Sequence, residues 1–258
     1  MSTLIAVLHD SSQAINVHLA GWLAECKATA PKEIQLMFRY QQPVSVNRNA
    51  ICNYFLKETT HEWLIMVDSD QVPMTNWLSM RDKGEKIIMA LTTVGTSEGP
   101  MPLVMVDNGT GCSWRKISLT ELAERIRENG LIHVDALGSG VLLIHRSVLE
   151  AIKPPWFEFR ITEEGLILMS EDYDFSIKAK EAGFKLFIDS TAKAGHLKLV
   201  DMYTLNKQIY KIITAKSLKV ETFGKDQKET KEENFTGLKP EAIEEKKIDS
   251  IKIEKAGE

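Results

Sequence analysis

Short apolar runs alternate with stretches whose apolar residues recur every three or four positions, from residue 3 to about residue 200. TLIAVL at 3–8 predicts a strand, closed by His9-Asp10 and two serines. The spacing of Ile15, Leu19, Trp22, Leu23 and Cys26 predicts a helix after it. IQLMF at 34–38 predicts a second strand, and beyond QQPVSVN the residues Ile51, Tyr54 and Phe55 mark the inner face of a second helix. WLIMV at 63–67 is apolar throughout, as a central parallel strand covered on both faces must be. This strand-helix-strand-helix-strand order predicts an α/β fold with a parallel sheet and right-handed crossovers.

KIIMALTTV and PLVMV read as further strands, and Ser118 with Glu121 forms a capping box for a helix that Gly130 ends. GVLLIH is another strand. Ser170 caps a helix running through Phe175 and Ala182 to Gly183, and FKLFI follows as a strand. From Asp201 the character changes. Leu205, Ile209 and Ile212 predict an amphipathic helix within 201–221, and 222–258 is dense in Lys and Glu, the composition of a mobile tail. Ile248, Ile251 and Ile253 offer an alternative there, a small docking segment. The helix carries Lys207, Lys211 and Lys216; packing on the core is its expected use, and lying on a membrane the alternative.

With 258 residues, 43% hydrophobic and 26% charged, the chain fits one good-sized globular domain over 1–200 plus an appendage. No stretch approaches the roughly 20 apolar residues of a spanning helix, and the N-terminus lacks the pattern of a signal peptide. A cytoplasmic protein is expected; for a phage protein that means the host's cytoplasm. A formal charge of -4 supplies no global field for nucleic acid. Cys26, Cys52 and Cys112 lie far apart without CxxC spacing, so neither a disulfide framework nor a zinc site is predicted, and the first two fall on apolar helix faces.

Three short segments carry candidate chemistry. Asp68-Ser69-Asp70 follows WLIMV directly, at the strand end where open α/β sheets bind ligands. Alternation would turn both carboxylates to one side, able to share a divalent cation with a diphosphate; a simple strand-ending turn is the competing reading. Ser170-Glu171-Asp172 opens a helix, where carboxylates also suit the macrodipole. Its functional reading makes Asp172 a general base for a hydroxyl nucleophile and Glu171 an acceptor-binding group or its substitute. In AKAGHLK, His196 would add an imidazole favouring manganese over magnesium, and Lys198 or Lys193 a charge against a diphosphate.

Taken in order, VNRNAICNYFL, WLIMVDSD, LGSGVLLIHRSVLEAI, PPWF, SEDYDFSIKAKEAGFKLFID and GHLK resemble the successive motifs of family 2-like glycosyltransferases of the GT-A fold, compact phage and bacterial members above all. The resemblance covers roughly 3–200. It implies a mostly parallel central sheet flanked by helices, a nucleotide-diphosphate sugar as donor, and Mn²⁺ or Mg²⁺ as cofactor. It further implies that Asp68 and Asp70 are the metal-binding pair, Asp70 the more direct ligand and Asp68 nearer the ribose, with His196 completing the site. Arg48 matches an arginine that contacts the nucleotide, and Gly138, Ser139 and Gly140 match a small-residue loop under the donor sugar. His9-Asp10-Ser11 departs from the proline common after the first strand, leaving Asp10 as a candidate for base recognition. The acceptor is left open among a glycan, a lipid-linked sugar and a modified DNA base. A sugar nucleotidyltransferase would want a glycine-rich basic loop in place of HDSSQAI; a non-catalytic nucleotide-sugar-binding protein would not need the intact carboxylates.

Overall fold

All-apolar strands need cover on both sides, and the sheet they build is covered on both. The computed structural model describes residues 1–9, 15–40, 43–96, 99–107 and 114–198. Contacts divide the chain into Met1–Leu199 and Val200–Glu258. The second unit, with the expected 201–221 helix and 222–258 tail, lies outside the described residues, as do Asp10 and Cys112.

The main sheet contains β1 (Thr3–Leu8), β2 (Ile34–Arg39), β3 (Trp63–Asp68), β4 (Gln71–Pro73), β5 (Ile87–Leu91), β6 (Leu131–Val134), β7 (Val141–His145) and β8 (Leu186–His196). Their order is β6-β8-β5-β7-β3-β1-β2, with β4 paired to the far end of β8. β1 runs parallel to β2 and β3, and β5 parallel to β8. β7 is antiparallel to both β3 and β5, so these two groups point the same way; β6 is antiparallel to β8. The sheet is therefore mostly parallel, as the resemblance implied, with β7 running counter in its middle.

Helices α1 (Val17–Thr29), α2 (Val44–Glu58), α3 (Leu119–Glu124), α4 (Arg146–Ala151) and α5 (Glu171–Glu181) accompany it. Strand alternation splits the core in two. Leu4, Leu64, Met66 and Met89 pack with Phe55 of α2 and Phe175 of α5, while Ile5, Val7, Ile65 and Val67 pack with Trp22 of α1 and with Trp77. Both sets are buried, which explains the missing polar positions in β1 and β3.

Three expectations change. KIIMALTTV is not one strand: after β5, Thr93–Thr96 pairs with Gly99–Pro102 in a separate hairpin, and Val104–Asp107 joins Trp114–Lys116 and Ala136–Leu137 in a small antiparallel sheet. The helix expected to reach Gly130 stops at Glu124. Ser118 Oγ accepts from the Glu121 amide, but the Glu121 carboxylate pairs with Arg115 and Arg125 instead of reaching back. Arg127 and Gly130 then close a tight turn into β6, with Gly130 in the left-handed region at φ 81°. FKLFI begins a far longer strand: β8 passes an irregularity between Asp189 and Lys193 and continues to His196. No described helix is long and apolar enough to cross a membrane.

Cys26 and Cys52 are buried in α1 and α2, as expected of apolar helix faces. Burial pushes the Cys26 thiol up to about 11, with Glu25 adding to the rise, and lifts Cys52 further against the pull of Arg48. Since only the thiolate reacts, iodoacetamide at pH 8 is expected to leave both unmodified in the native protein and to label both in denaturant, as read by peptide mass mapping.

Candidate active site

Two polar clusters form at the carboxyl end of β3, one buried and one at the surface. The buried one centres on Arg48, in the second turn of α2 and 3% exposed. Its Nη2 donates to both Asp68 oxygens at 3.0 and 3.2 Å, its Nε to Glu171 Oε1 at 3.3 Å, and its Nη1 to the Ser139 carbonyl at 3.3 Å. One planar guanidinium thus joins β3, the loop before β7 and the start of α5. Neighbouring contacts hold the frame. Asn49 Oδ1 accepts from the Trp156 and Phe157 amides, and Phe157 stacks on Phe175 with centroids 4.6 Å apart. PPWF therefore pins α2 to α5.

Burial raises the Asp68 carboxyl above its ordinary range; Arg48 pulls it down, while Asp70 and Asp172 push it up. Glu171 behaves the same way, raised by burial and by Asp172 against Arg48. Burial works against the Arg48 charge, but Asp68, Glu171 and Asp172 outweigh it and hold that charge firmly. Asp172 lies beside this cluster. Its Oδ1 accepts from the Ser170 hydroxyl, and from the Tyr173 amide at 2.9 Å. Ser170 occupies the expected cap position of α5, but its hydroxyl serves Asp172 instead of a helical amide. Burial, then the Asp172 charge, pushes the Tyr173 phenol up to about 12, so it stays protonated.

The second cluster centres on Asp70. β3 ends at Asp68, so Asp70 is placed by a turn and not by strand alternation. Asn16 secures that turn: its side-chain nitrogen donates to the Ser69 and Gln71 carbonyls, while its oxygen caps α1 at Leu19. β4 pairs antiparallel with β8, opposing Gln71 to His196, and Gly195 allows the close approach because a Cβ there would stand 3.2 Å from Val72 Cβ. His196 Nε2 then lies 3.0 Å and Lys198 Nζ 2.7 Å from Asp70 Oδ2. Burial opposes ionisation of Asp70, but bonds from His196, Lys198 and Gln71 prevail and hold its carboxyl well below the usual range.

His196 Nδ1 is 3.3 Å from the Thr93 carbonyl, which can only accept. A ring proton on Nδ1 would turn the Nε2 lone pair toward Asp70, as metal binding requires, whereas a proton on Nε2 would donate to Asp70 directly. A hard carboxylate oxygen and an imidazole fit a manganese or magnesium ion, with Thr93 fixing the ring from behind. Among the described residues no group of three or more His, Cys, Asp or Glu gathers in metal-holding fashion, so Asp68 and Asp70 serve different partners in this state.

Gln71 was not singled out from the sequence. It is 1% exposed; its Nε2 donates to Asp70 Oδ1 at 3.0 Å, and its Oε1 accepts from buried Thr92 at 3.2 Å. A Cβ on Gly140 would stand 3.1 Å from the Gln71 amide. Gly138 likewise lies tight against Leu103. Within the fold, Gly138, Ser139 and Gly140 thus serve backbone packing, a carbonyl for Arg48 and room for Gln71. Lys193 is exposed, with its backbone tied to Met74, Thr75 and Trp77.

Replacing Arg48 by Met removes the main influence that lowers Glu171, leaving only a backbone hydrogen bond against burial and the Asp172 charge. A carboxyl raised in the folded state stabilises most below its ordinary value, and that contribution is lost as pH climbs through the raised value. Arg48→Met is therefore expected to cost about 3–5 kcal/mol at pH 7 and less at pH 5, measured by urea midpoints at both.

No protein-family model matches the chain, and no curated protein sequence does. Among solved structures, A197 from STIV is 20% identical with a TM-score of 0.51, covering 77% of this chain and 87% of that one. GalNAc-T7, solved with UDP, GalNAc and Mn²⁺, is 13% identical with a TM-score of 0.48, covering 78% and 44%. TarS of S. aureus is 14% identical with a TM-score of 0.42, covering 77% and 37%. This chain spans less than half of GalNAc-T7 and TarS, and those two likenesses are too slight to carry weight. The chain shares its α/β fold with A197.

Proposed function

We propose that the protein is a metal-dependent glycosyltransferase that moves a sugar from a nucleotide-diphosphate donor to an acceptor hydroxyl. The observation that supports this best is the meeting of Asp70 and His196, 126 positions apart in sequence, within 3.0 Å at the ligand-binding edge of the sheet. Structural packing alone needs no imidazole facing a carboxylate there, with a lysine on the same oxygen.

In this reading Asp70 and His196 hold Mn²⁺ or Mg²⁺, which when bound supplies positive charge against the negative charge growing on the departing diphosphate. Lys198, now on Asp70, turns to the diphosphate. Arg48 is a positioning residue: all three of its nitrogens are engaged within the protein, holding Asp68, the group assigned here to the donor, and Glu171, assigned to the acceptor. Asp172 is the base. Ser170 and the Tyr173 amide both bind its Oδ1 and so orient the carboxylate. The acceptor oxygen bonds to the anomeric carbon, the bond from that carbon to the diphosphate breaks, and the acceptor proton passes to Asp172. Direct attack inverts the anomeric centre.

A thermal-shift series with UDP-, GDP-, CMP- and dTDP-sugars is expected to raise the midpoint for one nucleotide class, and only when Mn²⁺ is present. Asp70→Asn and His196→Ala should abolish that Mn²⁺-dependent rise; no shift with any donor would overturn the transferase reading. Gln71→Leu leaves Asp70 unsteadied, with an expected loss of roughly 10–100-fold in Mn²⁺ affinity by titration calorimetry. Asp172→Asn should keep donor binding and slow transfer by about 10²–10⁴-fold. Proton NMR of the product anomer tests the base, since retained configuration would remove Asp172 from that role.

A further inference from the structure

The strands Arg160–Ile161 and Ile167–Met169 form a hairpin that leads straight into Ser170 and α5. Arg160 anchors it, its Nε lying 2.8 Å from buried Asp174. The hairpin carries Ile161, Leu166, Ile167 and Leu168, each at least 60% exposed. Four large aliphatic groups together in water on one short hairpin are costly unless something covers them. Beside it opens a cavity of about 750 Å³, walled by Met105, Trp114, Ile167, Leu168, Tyr173 and Ile177. That size and aliphatic-aromatic lining suit a small-molecule site. Trp114 and Tyr173 meet edge to face, 6.2 Å between centroids.

The cavity borders the proposed base: Asp172 is not in its lining, but Ser170 and Tyr173, which both donate to Asp172 Oδ1, are part of its wall. Its charged lining does not suit a polyanion: Lys180 is already paired with Asp135 at 2.6 Å, and Glu181 is acidic. We infer that this cavity is the acceptor's binding site, and that the acceptor carries an apolar chain lying along the hairpin with its hydroxyl end at Asp172. The inference rests on the transferase reading for the word acceptor; the cavity's preference for an apolar chain stands apart from it.

The probe is a series of methyl, hexyl, octyl and decyl β-D-glucosides, each below its micellar concentration, titrated calorimetrically into the full chain. Affinity is expected to rise roughly fourfold per buried methylene until the cavity is filled. Trp114→Ala and Leu168→Ser should each weaken decyl glucoside at least tenfold; Leu168 is 71% exposed, so its replacement removes no core packing. A flat series overturns the inference, as does a chain-length dependence that neither variant alters, since the chain would then bind elsewhere. Donor-sugar hydrolysis with Mn²⁺ separates the two readings. Hydrolysis without alkyl binding sinks the apolar acceptor alone, whereas alkyl binding without hydrolysis sinks the transferase and leaves an apolar-ligand site.

Discussion

A single buried cation organises the acidic edge of this sheet. Asp68, Glu171 and Asp172 come from segments a hundred residues apart, and bringing carboxylates together away from water is strongly unfavourable without compensation. Arg48 compensates because a guanidinium presents donors in several directions from one plane, reaching a strand end, a loop carbonyl and a helix start at once. Lysine, a point charge, could not bridge the three. The same bonds set the spacing between the end of β3 and the start of α5.

The second cluster depends on backbone pairing more than on charge. β8 runs past its partner β5, through an irregularity, far enough to meet β4, and that antiparallel contact puts His196 beside the turn bearing Asp70. Small residues make the approach possible: Gly195 admits Val72, and Gly140 admits Gln71. Gln71 occupies one oxygen of Asp70 and leaves His196 and Lys198 on the other, so the carboxylate has two chemically distinct sides.

Polar and apolar surfaces divide around Asp172. Toward β3 lie Arg48, Asp68 and Asp70; toward the 160–169 hairpin lie Trp114, Tyr173 and exposed aliphatic side chains. In the proposed reading, a base at such a boundary would serve a charged donor on one side and a partner of different character on the other. Tyr173 belongs to both, its amide holding Asp172 and its ring lining the cavity.

Period and polarity along the chain determined the α/β class, the strands β1, β3 and β7, the inner faces of α1 and α2, and the carboxylates at the end of β3 and the start of α5. These follow from local rules, since an all-apolar run of strand length must be buried on both faces wherever it sits. The antiparallel course of β7, the extension of β8 to His196, the early end of α3 and the role of Gln71 were decided by tertiary structure. Each depends on a partner distant in sequence: β3 and β5 for β7, β4 for β8, Ser190 holding the Arg127–Gly130 turn through the Gly130 carbonyl for α3, and Gly140 for Gln71. Arg48 shows the boundary between the two: its segment was legible as functional, but its three bonding partners appear only when β3, the loop before β7 and α5 are folded around it, because burial makes those bonds obligatory.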